Sequence, residues 1–245
     1  MIKEPATRAV DEPASKTRIH TVYQQLRRDI LHGKLLPGAR LPVEHLKAEY
    51  GVSAGTVREA LSLLVADALV TPEGQRGFWV AQVSEDDLED ITNTRIQLEC
   101  AGLRQAMQLG DDAWEAAIVA AFHRLSLVED ETGRPLEGRL DEWEQRNHDF
   151  HDALIAASPS RWTKRFRSIL YHQHERYRRF SLSQGTTDRN VHAEHAAIMA
   201  AVLKRDEDLA CQLIGQHIAA TRDFLFRVGM TAPAQTPPSR IEKLF

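Results

Sequence analysis

Eleven histidines are many for a chain of 245 residues, and three of them are spaced to converge. In the run Arg-Asn-His-Asp-Phe-His, Asn147 and His151 stand four apart on one helix face, with Phe150 directed to the core. His195 belongs to a later helical stretch beside Ala196, Ile198 and Val202. His217 belongs to a third, whose apolar stripe is Leu213, Ile214 and Ile218. A single core-facing histidine is usually a satisfied core residue. Three from separate helices of one bundle suit a divalent metal ion, because neutral imidazoles meeting at a point are good ligands. Imidazole-dominated ligation favours zinc or nickel, with manganese possible. Asn147 adds a carbonyl oxygen but no negative charge, and His148, three residues before His151, is an alternative donor.

Basic residues surround this constellation in the sequence. Arg95 and Glu99 lie four apart; Tyr171, His172 and Arg176 share a later helix with Arg179, and Arg139 is expected near the interior. A guanidinium fork suits a carboxylate, so the reading is an effector site for a small organic acid, a dicarboxylate by preference. Arg95 with Glu99 is equally a structural pair, and Arg178 reads as a solvated face. Asp149 is directed away from the face of Asn147 and His151, which leaves no general base in place for a metal-dependent enzyme. Cys100 and Cys211, the two cysteines of the chain, read as separate core thiols rather than a disulfide or metal site.

These residues need a helical scaffold, and the sequence supplies one. Residues 84–230 show helical periodicity throughout, opened by Ser84 and three acids that match a helix N-terminus. Breaks at Gly110-Asp111, Gly133-Arg134-Pro135, Ser158-Pro159, Gly185 and Gly229 divide the region into six or seven helices of an all-helical bundle. The proline-bearing tail from 231 to 245 and the polar residues 1–16 are expected to be disordered.

Residues 17–82 are organised differently. A stripe of Ile19, Val22, Tyr23, Leu26 and Ile30 makes a first helix, Pro42 opens a second, and Ser53 caps a third that runs to Leu69. Val70-Thr71 and Phe78-Trp79-Val80 flank a glycine-bearing hairpin tip. Three helices and a β-wing make a winged helix-turn-helix. Its third helix has an apolar back of Val57, Ala60, Leu61, Leu64 and Val65, and offers Ser53, Thr56 and Arg58 to DNA. Arg76 and Gly77 let the wing approach a phosphate backbone.

The charge distribution agrees. The net charge is −4, yet residues 1–80 carry 11 basic and 9 acidic side chains, or +2, leaving 20 and 26, or −6, for the rest. There is no apolar run of membrane-spanning length and no leading signal pattern, so no membrane partner is expected and the protein reads as cytoplasmic.

The front module resembles the GntR family of bacterial regulators, and the body resembles the FadR C-terminal (FCD) domain type. The resemblance rests on L-P-G-A-R-L at 36–41, V-R-E-A-L at 57–61 and R-G-F-W-V at 76–80. In the body it rests on R-I-Q-L-E at 95–99, F-H at 150–151, E-H-A-A-I at 194–198 and His217-Ile218. D-D-A-W-E at 111–115 and L-D-E-W at 140–143 are similar to a carbon-starvation regulator answering to glutarate. The resemblance implies a homodimer on a near-palindromic double-stranded DNA operator, most commonly repressing, and released or engaged by a small acid. It carries Arg58, Arg76 and Gly77 over as DNA contacts. It also supplies His151, His195 and His217 as metal ligands, with an Asp where Asn147 stands. Ala54 and Thr56 occupy places where the family has Arg and Pro, so the operator preference does not carry over. A metal-dependent enzyme acting on a small acid and a direct metal sensor are the competing readings.

Overall fold

The computed structural model describes residues 12–183 and 189–229, and they are mainly helical. They divide into two compact units, Met1–Gln82 and Val83–Phe245. The expected disorder of residues 1–11 and 231–245, and the expected break at Gly185, lie outside the described residues.

The first unit holds α1 (Glu12–Leu31), α2 (Val43–Glu49), α3 (Ala54–Ala66) and a hairpin of β1 (Val70–Pro72) and β2 (Phe78–Val80). Helix α1 starts at Glu12, ahead of the expected Thr17. Pro13 does not prevent this, because a proline in the first helical turn has no N–H that the helix needs. Ser53 caps α3 as expected, its hydroxyl accepting from Thr56 N–H at 3.1 Å. Val57, Ala60, Leu61 and Leu64 are buried against Val22, Leu26, Ile30 and Leu46, which fixes the third helix by its apolar back. The hairpin pairs Val70 with Val80, Thr71 with Trp79 and Pro72 with Phe78. A 3-10 turn at Gly74–Arg76 forms its tip.

The second unit is a bundle of six helices among the described residues: α4 (Glu85–Leu109), α5 (Asp112–Ser126), α6 (Leu140–Leu154), α7 (Arg161–Ser183), α8 (Val191–Leu203) and α9 (Glu207–Val228). Side-chain oxygens start most of them: Ser84, Asp111, Asn190 and Asp206 accept from the N–H groups of Asp87, Trp114, Ala193 and Leu209. One boundary has no Gly or Pro signal. Between α8 and α9 the turn passes through Arg205 at φ 59°, a left-handed conformation that costs an ordinary residue energy. Arg205 is held there because its guanidinium donates to the carbonyls of Met107 and Gly110 and pairs with Glu115 over the Trp114 ring. The main core joins Leu103, Trp114, Ile118, Phe150, Leu154, Ile198 and Ile214. A smaller cluster of Leu88, Ile91, Tyr177 and Leu225 packs the start of α4 against α7 and α9. No described helix is long and apolar enough to cross a membrane.

Candidate metal centre, acid cavity and DNA-facing surface

Three helices bring His151, His195 and His217 together inside the second unit, with one ligand atom from each lying within 4.8 Å of the others. Phe150 backs them, its ring centroid 5.1 Å from that of His195 and 5.5 Å from that of His151. His151 and His195 are fully buried, and both nitrogens of each ring lack a hydrogen-bond partner. Four unsatisfied ring nitrogens are costly in a protein core. A divalent cation is the group that would satisfy them, and burial makes them ready for it. Desolvation drives His151 and His195 well below the usual imidazole range and takes His217 down to about 4, so all three are neutral near pH 7.

His217 is oriented from behind. Its Nδ1 lies 2.8 Å from Glu194 Oε2 and 3.1 Å from Arg189 Nη2. Arg189 Nη2 already donates to Glu194 Oε2 and to the His217 carbonyl, both at 2.6 Å. The consistent assignment is therefore Nδ1–H donating to Glu194, which leaves Nε2 as a free lone pair. Glu194, although partly buried, is held down to about 2 by its bonds to His217 and Arg189, and so stays ionised. Asn147 is oriented in the same way: its amide donates to Tyr171 Oη at 2.7 Å, while its buried Oδ1 has no hydrogen-bond partner. The three imidazoles form a donor set that fits a divalent ion, with no charge of its own. His148 does not join it. Its ring stacks on His172 at 5.3 Å, and its Nδ1 lies 3.6 Å from Asp152.

Beside the centre is a cavity of about 60 Å³, lined by Asn147 and His217, the guanidiniums of Arg95, Arg134, Arg178 and Arg189, and His174. Among the described residues no carboxylate lines it. Arg178 and Arg189 each reach back to an acid, Glu144 and Glu194. Arg95 is buried with its Nε 3.4 Å from Glu99, and burial pulls it down to about 10 against that acid. The pair is thus both structural and cavity-facing. Glu99 also takes Arg167 Nε at 2.8 Å and is spent on these two cations. Tyr171 lies beneath, with Arg95 and Arg178 over its ring at 4.6 and 4.9 Å.

The sequence reading of α7 needs correcting. His174 and Arg178, four apart on one face of α7, line the cavity, and Tyr171 on the same face lies under Arg178. His172 and Arg176 fall on other faces and do not line it. His172 stacks on His148, and Arg176 donates to Gln173 at 3.2 Å near Tyr177 and Asp87. Arg178, expected in solvent, has a side chain only 11 % exposed. Arg139 stands 41 % exposed against Glu142 rather than inside. His174 was overlooked although its spacing from Tyr171 was available; it is buried, and neither ring nitrogen has a hydrogen-bond partner.

On the first unit, Arg58 is exposed on α3, behind Ser53 and Thr56. The two hydroxyls lie 2.9 Å apart and are partly engaged in the cap. At the wing, Arg76 is exposed and Gly77 adopts φ 110°, a conformation that a side chain would strain. Arg40 is an exposed cation that the sequence reading passed over. It bridges to Trp79, stacks 5.7 Å from that ring, and donates to the Arg76 carbonyl at 3.2 Å.

Comparison with known proteins agrees with both halves of this picture. The model of the bacterial regulatory proteins of the gntR family matches residues 18–80, and that of the FCD domain matches residues 90–220. The chain is 47% identical over 215 residues, 88% of each chain, to an uncharacterized HTH-type transcriptional regulator, BphR, of Paraburkholderia xenovorans. It is 36% identical over 200 residues to the HTH-type transcriptional repressor GlaR of Escherichia coli, covering 80% of this chain and 90% of that one. Among solved structures, Escherichia coli McbR/YncC shares the fold with a TM-score of 0.70 at 19% identity, over 86% of this chain and 98% of the other. The chain belongs to the GntR family of bacterial regulatory proteins, with an FCD domain behind its DNA-binding module, and is a transcriptional regulator rather than an enzyme.

Proposed function

We propose that the protein is a cytoplasmic repressor that binds a near-palindromic operator as a homodimer, under the control of a small dicarboxylic acid bound beside a metal ion. The observation that carries this reading is the juxtaposition of an uncharged donor set with a cavity lined by four arginines and, among the described residues, by no carboxylate. His151, His195, His217 and Asn147 would hold the ion, zinc or nickel before manganese. When bound, the ion supplies a positive centre that attracts a carboxylate. The four ligands bring no charge to offset it, which favours an anionic partner over metal alone and so disfavours a direct metal sensor.

Arg134 sets the second half of the preference. Arg95, Arg178 and Arg189 each have a protein carboxylate, whereas no ion pair to Arg134 is found among the described residues. A dianion would place one carboxylate toward the histidines and the other toward Arg134. The cavity limits its size. At roughly 10–15 Å³ of such space per water, it holds about four to six waters, the size of a short acid such as glutarate. Ser53, Thr56, Arg58, Arg76 and Gly77, with Arg40 beside the wing, are the proposed DNA contacts. The acid regulates only if it binds the DNA-competent and DNA-released conformations with different affinity. The name of the relative GlaR supports repression over activation.

A thermal-shift screen of mono- and dicarboxylic acids, with and without zinc or nickel, tests the reading together with release of operator DNA. The expected result is a large shift that requires both metal and a short dicarboxylate, and that is lost in His195→Ala. A shift with metal alone, accompanied by DNA release, would replace the acid with the metal as the signal. Turnover of the acid would mark an enzyme.

A further inference from the structure

We propose that Cys100 and Cys211 form a peroxide-oxidisable dithiol, closed by a disulfide that ties α4 to α9. The two residues lie 111 positions apart in sequence and face each other across the helix pair. The Cys100 thiol donates to the Cys211 carbonyl at 3.6 Å, and the Cys211 thiol to the Cys100 carbonyl at 3.8 Å. Each sulfur therefore lies against the other residue's backbone, and the two free thiols are neighbours although they are distant in the chain. The helices approach closely here: one turn away, a Cβ added to Gly215 would stand 3.5 Å from Ile96. Both cysteines are half-buried rather than sealed in, so a small oxidant reaches them.

The pair is chemically asymmetric. Cys211 is drawn down to about 7, first by the adjacent Cys100 thiol and then by the nearby Arg104 guanidinium. The same thiol–thiol contact, with burial, pushes Cys100 up. A thiolate beside a cation, next to a protonated thiol, is the arrangement of an attacking and a resolving cysteine.

The Cys211 thiolate attacks one oxygen of hydrogen peroxide; the O–O bond breaks, and the departing hydroxide takes a proton to become water. Cys211 is now a sulfenic acid, its sulfur oxidised by two electrons. Cys100 loses its proton and attacks that sulfur; the S–O bond breaks, and the leaving hydroxide takes up the proton. Two thiols and one peroxide thus give one disulfide and two waters. The new bond would fix the spacing of the helices that supply Arg95 and His217 to the cavity, and its formation depends on neither metal nor acid.

The test is peroxide treatment of the full chain followed by intact-mass analysis, alkylation of free thiols and peptide mapping. The expected product has lost two hydrogens, resists alkylation at both cysteines, yields a linked Cys100–Cys211 peptide pair, and is restored by dithiothreitol. Cys100→Ser should accumulate a sulfenic acid at Cys211 that dimedone captures, while Cys211→Ser should stay reduced under the same dose. Parent protein whose two thiols remain alkylatable, or which oxidises only to a sulfinic acid or a disulfide between chains, overturns the proposal.

Discussion

The two units of this protein keep their chemistry in opposite places. In the first, every candidate DNA contact sits at the surface of a small apolar core that none of them enters. In the second, the histidines, arginines and acids are themselves part of the interior: Arg95, Glu99, Asn147, His151, Arg167, His174 and His195 are all buried. Surface groups are cheap to display, because water satisfies them. Buried ones must be neutralised, hydrogen-bonded or ligated, and the second unit does this with paired charges such as Glu99 with Arg95 and Arg167. Those it leaves unpaired, the imidazoles and the Asn147 oxygen, mark where a ligand belongs. The lesson is that in one unit function can be altered without touching stability, and in the other it cannot.

The hardest test of that contrast is Phe150→Ala. The ring is fully buried between Phe122 and two of the histidines. Its loss should cost about 3–5 kcal/mol in urea unfolding, as for other large-to-small core changes. Metal uptake should fall with it, since the histidines lose their backing. Undiminished uptake in a destabilised variant would separate the centre from the core, and the contrast would fail.

Acid tests the same contrast in the unsubstituted protein. Burial holds His151, His174 and His195 well below the ordinary imidazole range and His217 down to about 4. In the unfolded chain these rings titrate near about 6.5. Below that pH the unfolded chain takes up protons that the folded second unit refuses, so stability falls as pH drops toward about 4. His217 alone accounts for on the order of 3 kcal/mol. Urea midpoints of chelator-treated protein between these pH values give the measurement. A flat profile would mean that the rings are not held neutral.

The same contrast explains what the sequence could disclose. Periodicity and caps located α2, α3, the wing and α4 to α7 of the body, because apolar stripes, Ser53, Ser84 and glycine breaks are local signals. The histidine trio was legible because each member sits in an apolar stripe of its own helix. The cavity was only half legible. Arg95 was found, but Tyr171, His172 and Arg176 were chosen over His174 and Arg178, since closeness in sequence is not a shared helix face. The α8–α9 turn was invisible because Arg205 is held in place by Met107, Gly110 and Glu115, which are distant in the chain. The cysteine pair was invisible for a similar reason: nothing local in either stretch points to the other.

Arg58→Ala is the smallest perturbation of the fold and the sharpest use of the comparison. Arg58 is exposed, and within its own unit its charge acts weakly on Glu44 without any direct ion pair among the described residues. Removing it should shift unfolding by no more than about 0.5 kcal/mol, as for surface substitutions in general. Operator affinity should fall by about 1–3 kcal/mol per half-site if the guanidinium reads a base, and the loss should then depend on operator sequence. If it meets only phosphate, the loss should be uniform across sequences and the salt dependence shallower by about one ion per half-site. In either case the metal- and acid-dependent thermal shift should stay as in the parent, because that site is built wholly inside the second unit. Gel-shift titrations at two salt concentrations, paired with the thermal-shift assay, read both quantities from one preparation. A variant that loses the thermal shift along with DNA binding would show that the two units do not divide the work as their interiors imply.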